Sequence, residues 1–106
     1  MLPSLINLHH VKDIRNWIKE PDNVYIGRCS KDLKQSIWAN IYRINDGFTR
    51  ETCIEKFTSY LITNEDLLNK LPSLLNKVLG CWCLPKSCHG EILIELLRET
   101  IIQIDC

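Results

Sequence analysis

Apolar and polar positions alternate in a way that divides the chain into short strands and amphipathic helices. Leu5 to Leu8 is a brief apolar run that predicts a first strand, and His9-His10 follows it directly. Val11, Ile14, Trp17 and Ile18 recur at helical spacing among charged residues. They predict an amphipathic helix of about ten residues that ends before Pro21 and points Trp17 into the core. Pro21-Asp22-Asn23 reads as a turn, and Val24 to Gly27 as a second strand. From Cys29 to Gly47 no period holds, which predicts a long polar and aromatic loop. Thr49 is placed to cap a helix whose apolar face is Ile54, Phe57 and Leu61, with Cys53 and Tyr60 beside it. Thr63-Asn64-Glu65-Asp66 has the form of a capping box that restarts the chain. Leu67, Leu68, Leu71, Leu74 and Leu75 follow as core leucines, broken at Pro72.

Val78 to Cys83 is apolar and uncharged, as a strand buried on both faces requires. Alternation along it sends Cys81 and Cys83 to one face and Trp82 to the other. Pro85 ends the run, and from Glu91 the period changes. Leu93, Leu96, Leu97 and Ile101 form a stripe, widened by Ile92 and Ile94, that predicts a last helix starting near Ser87 to Gly90. This order of strands and helices predicts one α/β domain over residues 1–106: a short, mostly parallel sheet flanked by helices in two or three layers. Parallel strands direct their carboxyl ends to one edge, where His9-His10, Gly27-Arg28 and the segment from Cys83 to Gly90 would meet.

Charge and composition narrow the function classes. Thirteen basic and thirteen acidic residues among 106 give a formal net charge of +0, so nucleic acid is not indicated as a partner. No run of about 18 apolar residues predicts a membrane span, and the apolar start Met1 to Ile6 lacks the features of a secretory signal. The six cysteines do not space themselves as a disulfide framework and suit a reducing, cytoplasmic setting. A small buried hydrophobe is the plain structural reading of Cys29, Cys53 and Cys106; it is favoured for Cys53 on its helix face, while Cys106 is expected to fray at the terminus. The apolar end of the last helix, with Ile101, Ile102 and Ile104, predicts a homodimer.

The chemistry concentrates in Cys81-Trp82-Cys83-Leu84-Pro85-Lys86-Ser87-Cys88-His89-Gly90. Cys88 falls at a helix N-terminus, where positive potential favours a thiolate. Three readings compete. In the first, an anionic or nucleotide-like ligand binds at the strand ends. Gly27 would admit its approach, and Gly90 would either do so or let the backbone pack closely; Arg28 and Lys86 would hold its charge, Trp38 would either stack on it or cover the sheet edge, and Asn40 would hydrogen-bond it, with Pro85, Cys88 and His89 completing the site. A catalytic form of this reading uses Cys88 as nucleophile and His89 as base or acid. In the second, the cysteines and Trp82 only pack a central strand, and the protein acts by binding a macromolecule or itself. In the third, Cys83, Cys88 and His89 hold zinc or an iron–sulfur cluster, completed by Cys81 or by a histidine of His9-His10. No particular cofactor is specified by these residues.

Four motifs in order, Val24-Tyr25-Ile26-Gly27-Arg28, Trp38-Ala39-Asn40, Thr49-Arg50-Glu51 and the closing Cys81 to Gly90 run, resemble a family of short uncharacterised proteins of bacteria, phages and large DNA viruses. That family's pattern has a Val-Tyr strand, a Trp-Gly-Asn-Pro motif and a closing Cys-x-Cys-x-Pro-x-x-Cys-His-Gly motif. The resemblance runs from about Ile6 to Ile102 and departs from the pattern at Ala39 and Ile41, where Gly and Pro are expected. It implies the fold and the location of a site, and a viral or phage accessory protein of the host cytoplasm or virion. It implies no activity.

Overall fold

The computed structural model describes residues 1–44, 47–83 and 88–105, with side chains as far as Glu99. Three strands, β1 (Ser4–Asn7), β2 (Asn23–Tyr25) and β3 (Val78–Cys81), form one sheet in the order β1-β3-β2. Both pairings are parallel: Ser4 aligns with Val78 on one side and Asn23 with the same residue on the other. The strand that comes last in sequence is therefore the central one. This explains its uncharged composition, since both of its edges and both of its faces are covered. The α-helices among the described residues are α1 (Ile14–Trp17), α2 (Arg50–Ile62), α3 (Glu65–Lys70) and α4 (His89–Asp105). One 3₁₀ turn follows β1 at Leu8–His10, and another follows α3 at Leu71–Leu74, with Pro72 in its first turn.

The period-2 pattern sorts the sheet's side chains into two layers. One face packs Leu5, Val24, Leu79 and Cys81 against α2, α3 and α4, in a core that includes Phe57, Leu61, Leu67, Leu71, Leu74, Leu93 and Leu97. The other face carries Ile6, Tyr25 and Trp82, covered by Leu8, Val11, Ile14, Trp17 and Leu33. Cys83 belongs to the first layer and Trp82 to the second, as the alternation requires. Gly80 makes the second layer possible. A Cβ there would lie 2.4 Å from Cη2 of Trp17, so only a glycine lets that ring lie on the central strand.

Several boundaries differ from the sequence reading, each for a local reason. The first helix is one turn, not about ten residues. The Asp13 side chain accepts from the Asn16 N–H and starts the helix at Ile14, while Val11 is extended. At its other end the Asn23 amide donates to the Trp17 carbonyl at 2.9 Å. Trp17 is accordingly half-buried against the second layer rather than in the main core. The capping box at Thr63 resolves into two caps. Thr63 closes α2, its hydroxyl donating to the Ser59 carbonyl at 2.8 Å, and Asn64 opens α3 by accepting from the Leu67 N–H at 3.2 Å. Thr49 caps α2 as expected, accepting from Thr52 N–H at 3.1 Å. Two strands are shorter than predicted, β2 ending at Tyr25 and β3 at Cys81, while β1 keeps its length and starts one residue earlier. The side chains of Ile101, Ile102 and Ile104, on which the homodimer expectation rests, lie outside the described residues.

Helix α4 sits against the sheet through Gly90. A Cβ at this position would fall 2.5 Å from Leu5 Cδ2 and 2.8 Å from Ile26 Cδ1. Gly90→Ala is expected to push α4 off the sheet and destabilise the fold by about 1–3 kcal/mol, the usual cost of overpacking. Urea unfolding of the two proteins measures it, and an unchanged midpoint would refute the close contact.

Candidate functional site

Four segments converge at the carboxyl edge of the sheet. The end of β3 and the residues after it bring Cys81, Trp82 and Cys83, and the start of α4 brings Cys88 and His89. The start of α2 brings Arg50, Cys53 and Ile54, and the loop after β2 brings Gly27, Arg28, Asn40 and Tyr42. Between them lies a cavity of about 270 Å³ lined by all of these except Cys88, together with Tyr25, Cys29, Ser30 and Ile44. The described lining contains two guanidiniums, Arg28 and Arg50, and no carboxylate.

The floor is a cluster of three thiols. The sulfurs of Cys81, Cys83 and Cys88 all lie within 4.8 Å of one another, and those of Cys81 and Cys88 are 3.2 Å apart. Cys81 and Cys88 are each 1% exposed, while Cys83 is half-buried. The Gly90 N–H donates to Cys88 Sγ at 3.4 Å. His89 holds the cluster in place. Its Nε2 lies 2.7 Å from the Ile26 carbonyl oxygen, which can only accept, so Nε2 carries the proton. Its Nδ1 is then an acceptor 3.7 Å from Cys88 Sγ. The ring also meets Phe57 edge-on, with centroids 4.9 Å apart. Burial holds the His89 pKa below the usual histidine value, so the imidazole is neutral.

Three thiols this close share their charge unevenly. Hydrogen bonds from Cys81 and then Cys88 pull Cys83 well below the usual thiol range, with a further hydrogen bond from Arg50. Cys88 is pushed up by its hydrogen bonds to Cys81 and Cys83 and by burial, and Cys81 is pushed up chiefly by its bond to Cys83. The shift is therefore downward at Cys83, the half-buried member, and upward at the two buried ones. This reverses the expectation for Cys88. The helix N-terminus does supply an N–H to its sulfur, but burial among other thiols outweighs that effect.

The other predicted site residues are placed as follows. Gly27 and Arg28 line the cavity, Gly27 beneath the Tyr25 ring and Arg28 exposed at its edge. Asn40 lines it too, but its polar atoms serve the loop: Nδ2 donates to the Cys53 carbonyl at 3.1 Å and Oδ1 accepts from Tyr42 N–H at 3.0 Å. Trp38 is a core residue, 4% exposed and packed with Phe57 and Ile26, so its ring has no free face for stacking. Gly90 is filled around by Leu5 and Ile26 and gives no approach to a ligand. Cys83 and Cys88 lie together with Cys81, and His89 Nδ1 stands 3.7 Å from Cys88 Sγ beside this group of sulfurs. His9 packs on Trp82, 4.9 Å between centroids, and His10 is exposed. Cys53 is buried, as expected, whereas Cys29 is exposed at the cavity rather than a buried hydrophobe. Pro85 and Lys86 lie outside the described residues, as does Cys106. Arg50, which the sequence offers only within Thr49-Arg50-Glu51, also lines the cavity; its signal is that a cation in the first turn of a helix opposes the helix dipole and so points to some other role.

The arrangement coincides with a family signature. A family model described as a domain of unknown function, DUF4326, matches residues 6–99. The chain belongs to the DUF4326 family. An uncharacterised protein of Acanthamoeba polyphaga mimivirus is 34% identical over 103 residues, covering 86% of this chain and 78% of the viral one. No solved structure matches. The motifs that mark the DUF4326 resemblance are those that build the cavity: the end of β2, the loop around Asn40, the start of α2 and the thiol segment. No helix among the described residues is long and apolar enough to cross a membrane.

Two outcomes test this geometry. A maleimide at neutral pH is expected to label Cys29 and Cys83 in the native protein and to reach Cys53, Cys81 and Cys88 only after unfolding. Peptide mass mapping reads this, and labelling of Cys88 ahead of Cys83 would contradict the charge distribution. His89→Leu removes the donor to the buried Ile26 carbonyl and is expected to cost about 1–3 kcal/mol in chemical unfolding. An unchanged stability would show that the imidazole does not clamp the site.

Proposed function

We propose that the domain binds a small anionic, nucleotide-like ligand in the cavity at the carboxyl edge of its sheet. The observation that carries this reading is the charge of the lining: Arg28 and Arg50 with no described carboxylate, in a protein whose formal net charge is +0. A concave site at the ends of parallel strands is where α/β sheets hold ligands. In this reading Arg28, exposed at the edge, and Arg50, fixed in the first turn of α2, take the ligand's charge. Tyr42 takes the role that Trp38 cannot fill. It lines the cavity half-buried, held by an edge contact with Phe48 at 6.2 Å between centroids. Asn40 holds the loop that presents Tyr42. An accessory role in a large DNA virus fits the mimivirus relative and is part of the same proposal.

Thermal unfolding of metal-free protein with phosphate, pyrophosphate, nucleotides and nucleotide sugars is the test. Anions are expected to raise the Tm, less so at high salt, and a neutral sugar to leave it unchanged. Arg28→Ala is expected to weaken binding roughly tenfold or more, the worth of one charge-assisted hydrogen bond. A Tm that no member of the panel moves would overturn the proposal.

A further inference from the structure

We infer that Cys81, Cys83 and Cys88 form a three-thiolate site for one zinc-type divalent cation, with the fourth coordination position turned to the cavity. Three observations support it. First, the spacing fits. Sulfurs bound tetrahedrally at about 2.3 Å from zinc stand roughly 3.8 Å apart, and these three, with one pair at 3.2 Å and all within 4.8 Å, bracket that value before any ion draws them together. Second, the backbone is arranged for thiolates. The amide two residues after Cys88 donates to its sulfur at 3.4 Å. Such N–H groups offset the charge that metal-bound thiolates retain, and they are the kind of outer contact that orients metal ligands. Third, the site is closed on one side and open on the other: Cys88 is buried beneath, while Cys81 and Cys83 line the cavity. Three protein ligands with an open position define reactive or ligand-binding zinc sites, as against closed structural ones.

The ligand set also explains the cations above it. A dication on three thiolates carries a net charge of −1, and the Arg50 guanidinium lines the same cavity as Cys83. Loading sends the remaining thiol protons to solvent and changes no oxidation state. His89 lies beside the group of sulfurs that meet within 4.8 Å: its Nε2 donates to the Ile26 carbonyl, which orients the ring and leaves Nδ1 facing Cys88 Sγ at 3.7 Å. The inference does not depend on the anion reading, because the three thiols would hold the ion whatever the cavity takes up.

The test is titration of reduced protein with cobalt(II) under exclusion of oxygen, then displacement with zinc. A background of Cys29→Ser and Cys106→Ser removes stray thiols. The expected result is saturation at one cobalt per chain, thiolate-to-cobalt charge-transfer absorption, and loss of that absorption on adding zinc. Cys83→Ser, at a half-buried position, is expected to weaken cobalt binding at least tenfold while the far-ultraviolet circular dichroism stays native. Because Cys88→Ser and Cys81→Ser change buried positions, the parent protein supplies a second measurement: zinc is expected to protect Cys83 from maleimide. No charge-transfer band in the parent protein would overturn the inference. So would binding that survives Cys83→Ser, or an iron–sulfur spectrum in place of single-ion binding. Failure here with phosphate still raising the Tm of metal-free protein leaves the anion reading standing, and the reverse pattern leaves only the metal site.

Discussion

The hydrogen bond from His89 Nε2 to the Ile26 carbonyl, 2.7 Å long and buried, is the contact on which the arrangement of the site depends. It joins the first turn of the last helix to the chain just beyond β2. Ile26 is itself held to the central strand, its N–H donating to the Gly80 carbonyl at 3.1 Å. A neutral imidazole is thus fixed between two elements far apart in sequence. Gly90 allows the approach and Phe57 closes the side. Once the helix start is fixed there, Cys88 has to lie against Cys81, because β3 runs between the two outer strands. The thiol cluster follows from the sheet order together with this one clamp.

The sheet and its layers were readable because they rest on local pattern. An uncharged run from Val78 predicts a central strand, and the structure places β3 between β1 and β2. Alternation at Cys81, Trp82 and Cys83 predicts their faces, and the two core layers receive them accordingly. What failed locally failed because a side chain outcompeted a period. Asp13 capped a helix that the apolar spacing had started earlier, and Asn64 replaced a four-residue box.

The site was legible as a place and less so as a set of roles. The segment from Cys81 to Gly90 located the edge, but a sequence gives no burial for individual atoms. Trp38 shows the limit: an aromatic residue in a loop without period reads equally well as a stacking surface or as a cover for the sheet edge, and its burial in the main core cluster leaves it no free face. Cys88 shows another. Helix position alone favours a thiolate, yet two neighbouring thiols and burial reverse the sign, and neither neighbour is evident until the strand and helix are docked. Asn40 sits at the cavity as expected while its polar atoms are spent on the backbone of Cys53 and Tyr42.

Charge ties these features together. Cys83, whose pKa is drawn down, lines the same cavity as the Arg28 and Arg50 guanidiniums. A dication on three thiolates would leave the floor with a charge of −1 beneath those cations. The proposed anion site and the proposed metal site are therefore electrostatically compatible, and an anion above a loaded cluster would also find an open coordination position. This compatibility gives a physical reason for cations and soft ligands to share one edge of so small a sheet.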